Sequence, residues 1–499
     1  MPVARRSLAD LPKRVARFLV ERSRGAAGFV MGALALALVL ASQLGLSSDP
    51  VPQRTAVVDP ALAGPVWRGW GTSLSWWANV VGGLPDPVRA QLCEKVFRDL
   101  GLNIVRYEVG AGVSAGCEAM ERRARMPCLL RREGDYDWDA DANQVWVLRR
   151  AKELGADTFE AFACSPPWWM TRSGSVTGAP DGGPNLREES VDAFALHLAR
   201  VMRHAKESWG VSFQGISPMN EPEADWWKQG GRQAGCRVPA GLDQSKLVLA
   251  VDRMMRLQKA PARVAAPDGW SPEATGASWD LLADPARRMV QHVTTHAYGD
   301  GAGRESLRKR CARAEKPLWV SEAGDADASG LTLARRIVSD VRQLQPSAWC
   351  VWQAVDGGGG WGCIDMDLNA GATEWRMNRK FDVLAQFTRH IRPGARFVAV
   401  SDDATVAAVK WDRLVLVTVG GDTEDVLRVD LSKAVPTGED AHVIRTSAHE
   451  AQLDAGTLPV QDGALRIPVP ARSVVTVVVP LRPPAESAKP PPASPLPSP

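Results

Sequence analysis

The stretch "GISPMNEPEADWW", residues 215–227, reads as a short buried strand that ends in polar residues. Glu221 stands between Asn220 and Pro222, so an acid and an amide lie where the strand gives way to a turn. When parallel strands close into a barrel, the reactive groups lie at the carboxyl ends of the strands. The stretch therefore predicts one strand of such a barrel, with Glu221 at the mouth.

Strand-like segments recur through residues 66–392 and alternate with helical patterns. The eight predicted strands are residues 68–74, 103–109, 158–164, 213–219, 263–267, 293–298, 318–322 and 348–355. One intervening segment, "DPVRAQLCEKVFRDLG", repeats apolar residues at four-residue steps, with Asp86 as the expected N-cap and Gly101 as the stop. Eight strands, each followed by a helix or a long loop, predict an α/β protein with a (β/α)8 TIM barrel.

A second pattern begins after the barrel. Residues 393–482 are rich in valine, alternate in polarity and carry regular turn signals, which predicts an attached antiparallel β-sandwich. Residues 47–65 read as a linker followed by the first strand of that sandwich. The Pro-rich tail, residues 483–499, is predicted to be disordered because its composition cannot pack a core.

The N-terminus reads as a targeting segment. Residues 1–25 form a basic leader with seven basic and two acidic side chains, and residues 26–46 carry no charge. An apolar run of about 20 residues suits either an uncleaved transmembrane signal anchor or a cleaved signal peptide, and we leave both open. Either one sends the chain into the secretory pathway, to be extracellular, on the cell surface, or membrane-anchored with its catalytic part outside the cytosol.

The composition excludes some classes of protein. The net charge of +3 gives no nucleic-acid footprint, so no nucleic-acid partner is expected. Tryptophan is abundant, with 19 Trp against 3 Tyr, and its flat rings serve either as core packing or as platforms for a sugar. The eight cysteines contain no C-x-x-C pair, so no zinc site is predicted. Cys117 with Cys128, and Cys350 with Cys363, are candidates for local disulfides.

A second acid matches the first. Glu322 in "LWVSEAG" ends the predicted seventh strand, as Glu221 ends the fourth. Two carboxylates that flank one cavity are what glycoside hydrolysis requires, because one protonates the leaving oxygen and the other attacks the anomeric carbon. The amide of Asn220 can hydrogen-bond a sugar hydroxyl beside the reacting carbon.

These motifs together resemble glycoside hydrolase family 30, and within it the endo-β-1,6-galactanases. The stretches that carry the resemblance include "GWGTSLSWWANVVGG" (69–83), "CSPPWWMTRSGSVTG" (164–178), "MNEPEADWW" (219–227) and "LWVSEAGDAD" (318–327). The resemblance spans roughly residues 55–480. It implies a retaining glycosidase acting on β-1,6-linked galactan, such as arabinogalactan side chains, with Glu221 as acid/base and Glu322 as nucleophile. It implies no cofactor and no metal.

Two other functions stay open at this point. The same retaining chemistry suits another β-linked oligo- or polysaccharide or glycolipid, such as glucosylceramide, β-glucan or xylan. A non-catalytic carbohydrate-binding protein on the same fold is the third reading, and the presence of both glutamates counts against it.

The resemblance also assigns roles around the two acids. It implies that Arg106 keeps the nucleophile ionised, that His296 and Tyr298 contact the nucleophile or the substrate, and that Trp352 is the sugar platform. The remaining tryptophans implied at the cleft are Trp76, Trp168 and Trp227. A buried structural ion pair for Arg106, a core histidine at position 296, and core packing for the tryptophans are the competing interpretations.

Two residues depart from the family pattern. The family has an aromatic residue after the nucleophile, where this chain has Ala323. In "RYEVGAG", Glu108 replaces an amide at the end of the second strand. A third carboxylate there raises the pKa of the acid by like-charge repulsion, grips a substrate hydroxyl, or points away, and the sequence does not choose among these.

Overall fold

The computed structural model describes residues 53–369 and 372–482. The predicted leader, the segment 26–46, the linker up to residue 52 and the Pro-rich tail lie outside the described residues. Within the described ranges, no helix combines the length and apolar character needed to cross a bilayer. The expected N-terminal membrane or signal segment therefore stays a prediction.

Eight parallel strands close into a barrel, which confirms the predicted TIM barrel. Strand β1 (Gln53–Val66) precedes the barrel and belongs to a separate sheet. The barrel strands, in chain order, are β2 (Gly69–Ser73), β3 (Ile104–Glu108), β4 (Thr158–Phe162), β5 (Gly215–Ser217), β6 (Arg263–Gly269), β7 (Val290–His296), β8 (Leu318–Ala323) and β9 (Ala348–Gln353). Strand β9 pairs with β2 and closes the ring.

Helices surround the barrel. They are α1 (Trp77–Val81), α2 (Asp86–Cys93), α3 (Ala142–Glu153), α4 (Val191–His204), α5 (Leu242–Leu257), α6 (Pro272–Leu281), α7 (Asp284–Met289), α8 (Arg304–Arg313), α9 (Leu331–Gln343) and α10 (Arg379–Thr388). Helices α2 and α4 continue as π-helical turns over Glu94–Asp99 and Ala205–Trp209. Asp86 is not the N-cap that we predicted, because it lies in the first turn of α2 and accepts a hydrogen bond from Arg89 at 2.7 Å.

The side domain is a mixed sheet, not the purely antiparallel one that we predicted. A small sheet at the barrel mouth comes first, with β10 (Val355–Asp356), β11 (Ile364–Met366) and β12 (Trp375–Met377). The side-domain strands are β13 (Arg396–Val400), β14 (Thr405–Lys410), β15 (Arg413–Val419), β16 (Asp425–Asp430), β17 (Ala441–Thr446), β18 (Leu453–Leu458), β19 (Ala464–Val469) and β20 (Val474–Pro480). With β1 they form a nine-stranded sheet in the order β18-β17-β20-β15-β14-β13-β1-β16-β19. Strand β1 is antiparallel to β13 and parallel to β16, which makes the sheet mixed.

Two hydrophobic cores support these layers. The larger core fills the space between barrel and helices, and it includes the fully buried rings of Trp67, Trp70, Trp77 and Trp349. The smaller core brings Leu427 of β16 and Leu414 of β15 into one cluster, although three strands separate β15 from β16 in the sheet. Part of the tryptophan excess is therefore core packing.

None of the eight cysteines forms a disulfide, and all eight lie in the described residues. The local bridges that we considered, Cys117–Cys128 and Cys350–Cys363, are absent. The thiol of Cys117 instead lies 3.1 Å from the hydroxyl of Ser114. Cys350 belongs to a small buried cluster inside the barrel, where burial raises the pKa of its thiol to about 12.

Candidate active site

Glu221 lies just beyond β5 in a backbone conformation that is rare for a residue with a side chain. Its φ is 46°, in the left-handed region that favours glycine. Hydrogen bonds hold this conformation on both sides. The Glu221 N–H donates to the Asp268 carbonyl at 2.9 Å, and the Trp227 indole N–H donates to the Glu221 carbonyl at 2.9 Å. A strained residue held from two sides is typical of a functional site.

Glu322 lies in β8 and is buried, with 5% of its surface exposed. Arg106 donates to Oε2 of Glu322 at 3.0 Å, and the Tyr298 hydroxyl donates to Oε1 at 3.0 Å. Burial raises the pKa of the Glu322 carboxyl, while the charges of His296 and Arg106 oppose that rise. Both hydrogen bonds favour the ionised form, since charge-assisted bonds strengthen when the acceptor is an anion.

His296 stands between the two acids. Its Nδ1 lies 3.1 Å from Oε1 of Glu221 and 3.4 Å from Oε1 of Glu322. Burial alone lowers the pKa of His296, but the charge of Glu322 and the contacts with Asp268 and Glu221 outweigh it and raise the pKa to about 10. The surrounding carboxylates therefore favour the protonated form of His296, and its Nδ1 faces both Glu221 and Glu322.

Asp268 is a central residue of the cluster that our sequence analysis missed. Its Oδ2 accepts a hydrogen bond from Arg106 at 3.0 Å, and its Oδ1 accepts one from Ser321 at 2.6 Å. Burial favours the neutral acid, but the charges of Arg106 and His296 outweigh it and hold the pKa of Asp268 well below its usual range. The available signal was position, since Asp268 directly follows the predicted fifth strand as Glu221 follows the fourth.

The cluster also resembles a metal site. One ligand atom each of Glu221, His296 and Glu322 lies within 4.8 Å of the others. The protonation of His296 works against metal binding, because an imidazolium has no free lone pair for a cation. The two carboxylates and the imidazolium form a hydrogen-bonded cluster suited to moving protons. The prediction that no metal or cofactor takes part stays a prediction.

A cleft of about 530 Å³ opens above the two acids. Five of the residues that we predicted around the acids line it, namely Asn220, Tyr298, Trp76, Trp227 and Trp352. The buried carbonyl oxygen of the Asn220 side chain has no hydrogen-bond partner among the described residues. A sugar hydroxyl can satisfy that oxygen.

The walls of the cleft are aromatic. The rings of Trp76 and Trp352 meet edge to face, with centroids 5.3 Å apart. Trp226 and Trp361 also line the cleft, and they are 48% and 38% exposed. For Trp226 the sequence left core packing and substrate contact equally open, and Trp361 was not predicted at all. Trp168 does not line the cleft; it packs beside the cluster that holds Trp76, with Arg132 over its ring at 5.2 Å.

Arg106 and His296 lie behind the cleft wall, as does Glu108. Glu108 is 1% exposed and accepts a hydrogen bond from the Ser75 hydroxyl. Burial raises the pKa of Glu108 to about 7, against the hydrogen bonds from Ser75 and Cys164. The charge of Glu322 adds to this rise, so Glu108 lies within electrostatic range of the nucleophile, and the three interpretations of its role stay predictions.

A parallel barrel with two carboxylates at the ends of its fourth and seventh strands defines the class of barrel glycoside hydrolases. The sequence profile of "O-Glycosyl hydrolase family 30" matches residues 93–266. An endo-β-1,6-galactanase from Hypocrea rufa is 31% identical over 82% of this chain and 89% of its own length. The chain belongs to O-glycosyl hydrolase family 30.

Two more distant proteins are similar along most of the chain. An exo-β-1,6-galactobiohydrolase from Bifidobacterium longum subsp. longum is 23% identical, over 83% of this chain but 38% of its own length. The crystal structure of a conserved exported protein from Bacteroides fragilis superimposes with a TM-score of 0.74 at 20% identity. The superposition covers 85% of this chain and 100% of the Bacteroides fragilis protein. This structural likeness supports the fold alone.

Proposed function

We propose that this protein hydrolyses β-1,6-linked galactan, such as the side chains of arabinogalactan, and retains the configuration of the cleaved sugar. The observation that carries the proposal is the pair of carboxylate oxygens, one on Glu221 and one on Glu322, within 4.8 Å across one cleft. Retaining glycosidases hold their two carboxyl groups about 5–5.5 Å apart, whereas inverting ones leave room for a water between them. The separation here favours direct attack by a carboxylate.

In the first step, Glu322 attacks and Glu221 protonates. A carboxylate oxygen of Glu322 forms a bond to the anomeric carbon while the bond from that carbon to the leaving oxygen breaks. The proton of Glu221 passes to the leaving oxygen, so the departing sugar leaves as a neutral alcohol. Arg106 and Tyr298 hold Glu322 in place and donate to its oxygens, which favours its anionic form against the rise in pKa that burial causes.

In the second step, water releases the sugar. Glu221, now a carboxylate, takes a proton from a water whose oxygen attacks the anomeric carbon, and the ester bond to Glu322 breaks. Nδ1 of His296 lies 3.1 Å from Oε1 of Glu221, within hydrogen-bonding distance of the carboxylate that acts in this step. Two inversions at one carbon give net retention.

The linkage and the sugar rest on the relatives. The Hypocrea rufa relative is named for endo-β-1,6-galactan cleavage and the Bifidobacterium relative for release of β-1,6-galactobiose. The cleft is compatible with a polysaccharide, because it is open and its aromatic side chains, including Trp226 and Trp361, offer flat apolar faces to sugar rings.

A substrate panel tests the proposal. We expect the full chain to release reducing sugar from β-1,6-galacto-oligosaccharides and not from xylan, β-glucan or glucosylceramide. Glu322→Gln removes the nucleophile with little change in shape and is expected to abolish turnover, whereas the exposed control Glu305→Gln keeps it. If only another member of the panel is cleaved, the substrate assignment is wrong and the retaining hydrolysis stands. Glycan binding without any cleavage makes this a carbohydrate-binding protein.

We also propose that the catalytic part lies outside the cytosol, secreted or anchored. The support is the basic leader followed by the uncharged residues 26–46. Protease added to intact producing cells is expected to cleave an anchored catalytic part, while a secreted one accumulates in the medium. Full protection of a cell-retained chain until the cells are lysed contradicts the proposal.

A further inference from the structure

A second cavity, of about 270 Å³, lies far from the two acids. It forms where the end of α10 meets the hairpin of β14 and β15. The lining residues that matter are Arg389, His390, Arg392, Lys410, Trp411 and Arg413. Arg389 and Arg392 donate to the carbonyls of Asp99 and Gly101, which precede β3. The cavity is therefore at the amino-terminal end of the barrel strands, opposite the cleft.

Trp411 is an unusual residue for its place in the chain. It occupies the two-residue turn between β14 and β15 with a φ of 53°, where asparagine or glycine is favoured. Its side chain is 57% exposed, and none of the described aromatic or cationic groups stacks on it. Trp138 shows the contrast, with stacked rings of His204 at 3.7 Å and Tyr136 at 4.4 Å. Exposure and backbone strain both cost stability, so neither accounts for the presence of an indole at this turn.

The cavity also carries excess positive charge. Its walls bear four basic side chains besides His390, against the single carboxylate of Asp412. Of the four, Arg413 donates to Asp412 at 3.1 Å. Lys410 donates to the Pro393 carbonyl at 2.6 Å, and among the described residues neither it nor Arg389 or Arg392 pairs with a carboxylate. Three of the four charges are thus held in place by neutral carbonyls, and the guanidinium of Arg413 stays 55% exposed beside Asp412, so an anion can reach them.

We propose that this cavity binds an acidic glycan, with a sugar ring on the face of Trp411 and a uronic-acid carboxylate on Arg413 and Lys410. An indole face accepts the C–H groups of a sugar ring, as aromatic walls do in ligand sites. A guanidinium and a carboxylate form charge-assisted hydrogen bonds. Because the site is on the far side of the barrel from the acids, it holds a polysaccharide without occupying the cleft.

Affinity gel electrophoresis with polygalacturonate in the gel tests the site. The full chain carrying Glu322→Gln is used, so that nothing is hydrolysed. We expect retardation, and we expect Trp411→Asn and Arg413→Glu each to weaken binding at least about 10-fold, a loss typical of one stacking or charged contact. Arg466→Glu, the same charge change on exposed β19, is expected to leave binding unchanged.

Trp411→Asn also guards against misfolding. Asparagine adopts a positive φ more readily than tryptophan, so this variant is expected to unfold at the same temperature as its parent or higher. The proposal is overturned if the gel does not retard the protein. It is also overturned if Arg413→Glu and Arg466→Glu weaken binding equally while Trp411→Asn has no effect. The third contrary result is that Trp411→Asn abolishes binding to phosphatidylserine vesicles but leaves binding to polygalacturonate unchanged. Because no turnover is measured, failure here leaves the proposed hydrolysis standing.

Discussion

The guanidinium of Arg106 and the carboxylate of Asp268 form a fully buried ion pair at 3.0 Å, directly behind Glu322. The same guanidinium donates to Glu322 from its other terminal nitrogen, so one side chain joins a structural acid to a reacting one. Asp268 also lies 3.8 Å from Nε2 of His296. Asp268 therefore contacts the two side chains, Arg106 and His296, that reach Glu322 and Glu221.

Asp268→Asn is expected to lower kcat about 100-fold, because a displaced reactive group costs about that much. It also lowers the pKa of His296, since one of the anions that raise it is gone. The loss of the His296 proton then moves to lower pH, which a pH titration of its imidazole by NMR follows. Steady-state kinetics measure the fall in kcat. Ser321→Ala, which removes only one hydrogen bond to Asp268, is the matched control and is expected to change both less.

Tyr298→Phe removes the hydroxyl that donates to Glu322 at 3.0 Å. A hydrogen bond to a charged group contributes about 1.5–3 kcal/mol, which corresponds to roughly a 10- to 150-fold loss in kcat/KM. Thermal unfolding is expected to change little, because the ring remains. Kinetics with and without the hydroxyl measure this. Wild-type activity in Tyr298→Phe contradicts a role for the hydroxyl in the reaction.

Glu108→Gln tests whether Glu108 is a buried carboxyl that stays protonated in the folded protein. Burial raises its pKa to about 7, so the folded protein keeps a proton that the unfolded chain has lost. The stabilisation from the protonated form is complete below the unfolded pKa, near 4.5, and is lost as pH rises through about 7. Above that pH a buried anion costs at most about 3 kcal/mol.

Glutamine keeps the acceptor for Ser75 and carries no charge, so Glu108→Gln is expected to gain stability over the wild type between pH 5 and pH 8. Denaturant unfolding at the two pH values measures the free energy of unfolding, with the exposed Glu305→Gln as a flat control. The same gap between variant and wild type at both pH values argues that Glu108 is already ionised in the fold.

Comparing Trp226→Ala with Trp70→Ala distinguishes a tryptophan that binds substrate from one that packs in the core. Trp226 is 48% exposed in the cleft, whereas Trp70 is fully buried and its indole N–H donates to the Ile391 carbonyl at 2.8 Å. We expect Trp226→Ala to raise KM for galacto-oligosaccharides with little change in stability. Trp70→Ala is expected to cost about 3–5 kcal/mol of unfolding free energy. Michaelis–Menten kinetics and denaturant unfolding of both variants measure KM and the free energy of unfolding. An unchanged KM in Trp226→Ala contradicts a role for Trp226 in binding the sugar.

Local pattern was enough to predict the barrel. Its strands are apolar runs bounded by turns, and each ends within a few residues of the predicted position, as β8 does at Ala323. The mixed side sheet was not predictable in the same way. The parallel pairing of Gln53 with Val426 joins residues far apart in sequence, and no local pattern records which distant strand becomes a neighbour.

The residues of the site also differ in how far local sequence predicts them. The positions of Glu221 and Glu322 follow from their strand ends, but the partners of a buried charge do not. Asp268 reads as a turn residue until the fold brings Arg106 to within 3.0 Å of it. Trp168 was predicted at the cleft because it lies in a motif of the family, but it packs beside the cleft and does not line it.

The anomeric configuration of the first product shows whether this protein hydrolyses β-1,6-galactan with retention. Hydrolysis of β-1,6-galactotetraose is followed by ¹H NMR from the first seconds, before the released sugar mutarotates. A retaining mechanism gives the β-anomer first, and Glu322→Gln is expected to yield no product. Initial release of the α-anomer, or no cleavage of this substrate by the wild type, contradicts a retaining β-1,6-galactanase.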